Sequence, residues 1–208
     1  FNAVTCNNYS ALSVLAPGGS LTNQYMATLN NYSGATLTNN QELNNFWHIN
    51  NRSGGTVTNT GSLYQSINSG LSNQGALINS GTVNSNGNIQ SYGLSATVVN
   101  QTTGIINNAG TLSNNNDSTF DNYGQINSTG ELMNVGPLHN HSSGIITSQD
   151  GLNNYGTVHN HGILNSSANG IVHNPGTINN YSGGIVNNGG QSFDNYNGTV
   201  SNAGTLNN

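Results

Sequence analysis

The chain is almost without charge. Of its 208 residues one is basic, Arg52, six are acidic, and none is Lys, so charged residues make up 3% where about 25% is ordinary. This removes the basic surface that nucleic-acid binders rely on, and no nucleic acid is expected as a partner. It also limits chemistry. The carboxylates are Glu42, Asp117, Asp121, Glu131, Asp150 and Asp194, and general acid–base work needs such groups set against one another or against a base. Asp117 and Asp121 lie close in sequence with no cation near them, and Arg52 is far off, so neither an enzyme nor a cofactor is expected. Cys6 is the sole cysteine, which excludes an internal disulfide and leaves an idle thiol or an intermolecular bond. No apolar run is long enough to cross a bilayer.

What the chain does have is asparagine, about a fifth of all residues, with 28 Gly and abundant Ser and Thr. Composition this biased often signals disorder, which normally accompanies few apolar residues or high net charge. Here the net charge is only −5 and the apolar residues are strictly spaced, which implies that they pack. The spaced phrase is an apolar residue, any residue, then Asn or Ser, recurring from Leu21 to Leu206; Ile67 fits as an extra copy. Alternation puts the apolar residue and the Asn on one face of a short strand and the residue between them on the other. Gly, Ser, Asn or Tyr-Gly then turns the chain.

Every third phrase falls on one side of a coil with a period of about 20 residues. Leu21, Leu43, Leu63 and their successors to Leu206 form a first side, Leu29 to Phe193 a second, Leu37 to Val200 a third. The expected fold is all-β: a parallel β-helix, or β-solenoid, of three short strands per turn and about nine turns. A right-handed coil is expected, because parallel crossovers are right-handed by strong preference. Residues 1–18 are less regular and read as an N-terminal cap or an exchanged strand, with 19–208 as a single solenoid. On the third side the polar position is always Asn: Asn39, Asn59, Asn79, Asn100, Asn122, Asn140, Asn160, Asn180 and Asn202. Identical amides one rung apart can donate to one neighbour and accept from the other, so these residues predict an internal Asn ladder.

Several features point to assembly. The chain closes in mid-phrase at Leu206, Asn207 and Asn208 without the polar cap usual in solenoids, and an unguarded sheet edge invites another chain. These three residues are the expected axial contact. Ile105, Ile145, Ile163 and Ile185 precede core residues of the first side and face outward, with Ile171 adding one on the second; such a row suits lateral packing against another coil. The chain begins at Phe1, as a product of signal-sequence removal would, and it offers trypsin-like proteases one cleavage site, which suits life outside a cell.

For a binding site, the best constellation is the two His-Asn-His phrases. His139 and His141 lie 20 residues before His159 and His161, so each pair is expected to stack on its counterpart. Neutral imidazoles so placed are a weak candidate for a transition metal, with no carboxylate expected beside them, or for a pH-sensitive patch. An ice-binding face would repeat Thr-x-Thr on every rung; only Thr36-Leu37-Thr38 and Thr56-Val57-Thr58 do so. Glycosylation sequons at Asn8, Asn31, Asn51, Asn100, Asn116, Asn127, Asn140, Asn165, Asn180 and Asn197 are about as many as chance gives in this composition, and some fall at expected turns where a glycan could be carried.

The phrases Gly-Thr-Val-His-Asn (156–160), Gly-Thr-Ile-Asn-Asn (176–180) and Gly-Thr-Leu-Asn-Asn (204–208) resemble the rungs of filamentous-haemagglutinin-type adhesins. That resemblance, which covers most of the chain, implies a right-handed β-helix exported to a cell surface. The Asn/Gly-rich, nearly uncharged character is also similar to self-assembling fibre and sheath proteins of prokaryotes. The expectation is an extracellular structural subunit whose partner is itself, stacked end to end into a filament, fibre or sheath. The alternative is the stalk or binding segment of a larger surface adhesin.

Overall fold

A computed structural model describes residues 4–167, 170–190 and 192–208, with the side chain of Ile171 outside that description. The described chain forms thirty strands of three or four residues, numbered β1 (Thr5–Asn8) to β30 (Thr205–Asn207) in chain order. They make three ten-stranded parallel sheets, each built from every third strand. Sheet A starts with β1, sheet B with β2 (Ala11–Val14) and sheet C with β3 (Ser20–Asn23). The expected second, third and first sides are sheets A, B and C in that order.

The coil has ten turns where nine were expected, because β1 and β2 are rungs. Cys6 pairs with Leu29 and Asn8 with Asn31 in sheet A; Leu12 pairs with Leu37 and Val14 with Asn39 in sheet B. The irregular look of this segment comes from Cys6 at an apolar position and Val14 at an Asn position. The extra copy expected at Ile67 is not a rung. Ile67 lies 70% exposed in the corner that joins Ser62–Gln65 to Gly70–Asn73, since four residues cannot hold both a strand and its turn.

One aliphatic or aromatic side chain per strand fills the axis, from Leu29 to Val186, with Leu12, Leu21, Phe193 and Val200 packed on the column's ends. Full burial of each stabilises the fold by roughly 1.5–3 kcal/mol. The other inward position is polar. In sheet B the nine asparagines Asn39 to Asn202 form an unbroken ladder, each Nδ2 donating to the Oδ1 of the next at 2.7–2.9 Å. The second amide proton goes to the backbone. Asn100 Nδ2 lies 3.2 Å from the Gly104 carbonyl in its own corner and 3.1 Å from that of Gln125 one turn on. The ladder starts at Asn39 because Val14 below it has no amide; the Asn39 Oδ1 accepts instead from the Gln41 N–H at 3.3 Å.

Interruptions have a cost that can be located. In sheet C, Ser85 is too short to bridge both neighbours. Its hydroxyl donates to the Gly87 carbonyl at 3.1 Å, and Asn108 Oδ1, buried one rung on, has no partner among the described residues. Corners are as constrained as strands. The corner carbonyl of Gly61 sits where a Cβ on Gly81 would be, and Gly34 and Gly54 turn their corners at φ 76°, a region that favours glycine.

Two substitutions test the ladder in opposite directions. Asn100→Ala removes four hydrogen bonds at 0% exposure, three donated and one accepted from Asn79, and strands their partners, so it is expected to lower unfolding free energy by about 2–4 kcal/mol. Ser85→Asn supplies the missing donor to Asn108 and is expected to raise it by about 1 kcal/mol. Denaturant titration followed by circular dichroism reads both.

Candidate functional site

Strand alternation places the two His-Asn-His phrases. Leu138 and Asn140 point inward from the strand Pro137–Asn140, which sends His139 outward, and Val158, Asn160 and His159 repeat this one rung on. His141 and His161 follow those strands at the corner leading to sheet C. The register His139↔His159 and Asn140↔Asn160 therefore gives a two-by-two array of imidazoles.

The rings stack, though not entirely as expected. His139 and His159 lie face to face with centroids 4.6 Å apart and planes within 6°. His141 stacks on Tyr123 of the preceding turn at 3.8 Å, and His161 on Tyr181 of the following turn at 4.2 Å, each within 5° of parallel. His139 and His141 have centroids 6.1 Å apart. His159 Nδ1 and the Tyr181 hydroxyl are hydrogen-bonded at 2.9 Å. The result is a strip of six rings across four successive turns.

A carboxylate does stand beside this array. His141 Nε2–H donates to Asp121 Oδ1 at 2.8 Å, because Asp121 is the in-register neighbour of His139 one turn earlier. This corrects the expectation that the imidazoles have no acidic neighbour and that Asp121 has no basic side chain near it. The 20-residue interval between Asp121 and His141 is the same interval that aligned the histidines. A second pair was missed for the same reason: His173 and Asp194 are in register in sheet A, with Nδ1 3.1 Å from Oδ2. Among the described residues no three His, Cys, Asp or Glu side chains gather as a metal-binding group.

The other candidate residues are placed as follows. Ile105, Ile145, Ile163 and Ile185 stand half-buried on the outer face of sheet C, in one column interrupted by Gln125. Beside them runs a second Asn ladder, in which Asn107, Asn127, Asn187 and Asn207 donate to the preceding turn, opposite in direction to the inner ladder. Leu206 is 39% exposed on the last turn, and Asn208 Oδ1 accepts from Asn188 at 2.7 Å. Cys6 is free and exposed. Asn8, Asn31, Asn51, Asn100, Asn140 and Asn180, among the sequon asparagines, are buried with amides committed to the inner ladders, whereas Asn116 and Asn197 are exposed in corners.

No family model and no curated protein matches the chain. Among solved structures, the crystal structure of a TibC-catalysed, hyper-glycosylated fragment of TibA is similar over 98% of this chain and 83% of its own, at 17% identity and a TM-score of 0.38. Assignment of the fold rests on the strand pairing itself.

Burial, and then the neighbouring His139 and His161, hold the His159 pKa below the ordinary histidine value. The unfolded chain therefore takes up this proton more readily than the folded one, so the contribution of His159 is fully present above about pH 6.5 and falls as pH drops below it. The thermal midpoint is expected to fall between about pH 7.5 and pH 5, and by less in His159→Asn. Scanning calorimetry at the two pH values checks this.

Proposed function

We propose that the protein is an extracellular structural rod that extends by adding rungs, stacking on further copies of itself into a filament, fibre or sheath. The carrying observation is the rung. Each turn offers the next a set of strand edges, inward polar groups and core side chains in register, and the last described turn, Ser192–Asp194, Thr199–Asn202 and Thr205–Asn207, carries the same elements. Set against the first turn of a second copy, Phe193 would meet the small Cys6, Val200 would meet Leu12 and Leu206 would meet Leu21. Asn195 and Asn208 would meet Asn8 and Asn23, continuing two of the three inner ladders.

Lateral association would use sheet C. From Thr82 to Asn207 its outward residues carry no charge, and a flat Ile column beside an Asn ladder suits sheet-to-sheet packing. The role is structural rather than catalytic, in keeping with only six carboxylates along ten turns. Export fits a nearly charge-free surface with one tryptic site, and no described helix is long and apolar enough to cross a membrane.

One observation favours the second reading, a segment of a longer surface stalk or adhesin. In sheet B the Asn202 amide of one copy would face Val14 of the next, leaving that ladder without its acceptor. Covalent continuation by a further Asn-bearing rung would carry no such mismatch.

Cryo-electron microscopy of natively purified material separates the two. Continuous fibres with a repeat near about 4.8 Å along the axis, and a junction joining the Leu206 rung to the first turn of another copy, are the expected result. Discrete rods within one long polypeptide would replace the filament with the stalk. Ile145→Lys with Ile163→Lys is expected to leave single fibres intact and abolish their bundling, seen in the same images.

A further inference from the structure

The rod does not require imidazoles at these positions. Neighbouring turns hold Val99 and Asn179 in register with Asp121 and His159, and Gln101 occupies the corner where His141 and His161 stand two and three turns later. The fold forms at these positions with uncharged side chains. Yet four of the six histidines are gathered here, on two consecutive turns.

We propose that the outer edge of sheet B around His139, His141, His159 and His161 is an acid-switched binding surface for a carboxylated polysaccharide lying along the rod axis. Imidazoles gain positive charge as the pH falls from neutral into the mildly acidic range. The strip holds four of the seven His and Arg side chains, and the other three, His48, Arg52 and His173, lie on sheet A or its corner. The groups that face these imidazoles are Asp121, bonded to His141, the Tyr181 hydroxyl, bonded to His159, and the stacked rings of Tyr123 and Tyr181. The strands that flank the corner in sheet C, Ile145–Ser148 and Ile163–Ser166, carry no charge, so one carboxylate opposes four imidazolium groups. The whole chain follows the same direction: its formal net charge is −5 with His neutral, and protonating its six histidines brings it to +1.

The shape selects the ligand class. The strip is one or two side chains wide and runs parallel to the rod, which suits a linear polymer. Thr157, Thr177 and Asn179 on the adjoining sheet face supply hydroxyl and amide groups matched to sugar hydroxyls.

The test is binding of the full chain to immobilised polygalacturonate. Affinity is expected to be at least about tenfold higher at about pH 5 than at pH 7.5, and to weaken as salt is added. Neutral dextran should show no such change. The variant H139N/H141Q/H159N/H161Q, built from side chains that other turns already carry, should lose the pH dependence while keeping its strand circular dichroism. Single variants H139N and H159N, each expected to weaken acid binding about two- to threefold, serve if the quadruple variant does not fold. H173N, outside the strip, should change nothing. Equal binding at both pH values, pH dependence surviving in the folded quadruple variant, an equal loss in H173N, or equal retention by anionic phospholipid vesicles would overturn the assignment.

Discussion

The structure depends on what one primary amide does with two protons. An inward Asn gives one to the amide oxygen of the next turn and the other to corner carbonyls of its own turn or the next, as at Asn39, Asn59, Asn79 and Asn100. The same group therefore sets the rung spacing and closes the corner. This explains why the core can be so thin. A single aliphatic side chain per strand leaves the corners to be held by hydrogen bonds, and buried backbone carbonyls there would be costly without donors. It also explains the sensitivity to length. Ser85 at the same position satisfies its own corner and accepts from Gln65 on the preceding turn, but does not reach Asn108 on the following one.

Direction follows from the same chemistry. Because the corner carbonyls accept, the inner amide nitrogen must point at them, which orients every rung of the sheet B ladder toward the C-terminus. The outer asparagines of sheet C have no corner to close and run the other way. A rod with an intrinsically polar interior has two unlike ends, one presenting amide oxygens and the other amide nitrogens. Any further rung, on the same polypeptide or on another copy, would then add head to tail.

Much of this was legible in the spacing of apolar residues and asparagines. The period of about 20 fixed the number of strands per turn, and alternation fixed which residues enter the core, so Leu37, Ile49, Leu63 and Phe120 lie buried as expected. The first turn was less legible because Cys6 and Val14 replace the usual residue types, although Cys6-Asn7-Asn8 keeps the spacing. Ile67 misled for the opposite reason, having the residue type without the room. At the histidines the rung interval placed the array but not the ring partners. His141 turns toward Tyr123 and Asp121 rather than His161, a choice made at the corner, where side-chain direction no longer follows strand alternation. The carboxylate itself was readable, since Asp121 and His141 are one period apart. The direction of each ladder was not, since the sequence does not show which carbonyl an amide meets.

The most direct test of the central role of the inner amides is side-chain hydrogen exchange, measured by nuclear magnetic resonance. If one amide holds both the rung spacing and the corner, the Nδ2 protons of Asn59, Asn79, Asn100, Asn122, Asn140 and Asn160 will exchange as slowly as the backbone amides of their strands, and those of the outer Asn107 and Asn127 far faster. Inner amides that exchange as fast as the outer ones would mean that the strands hold the coil without them, and the account would fail.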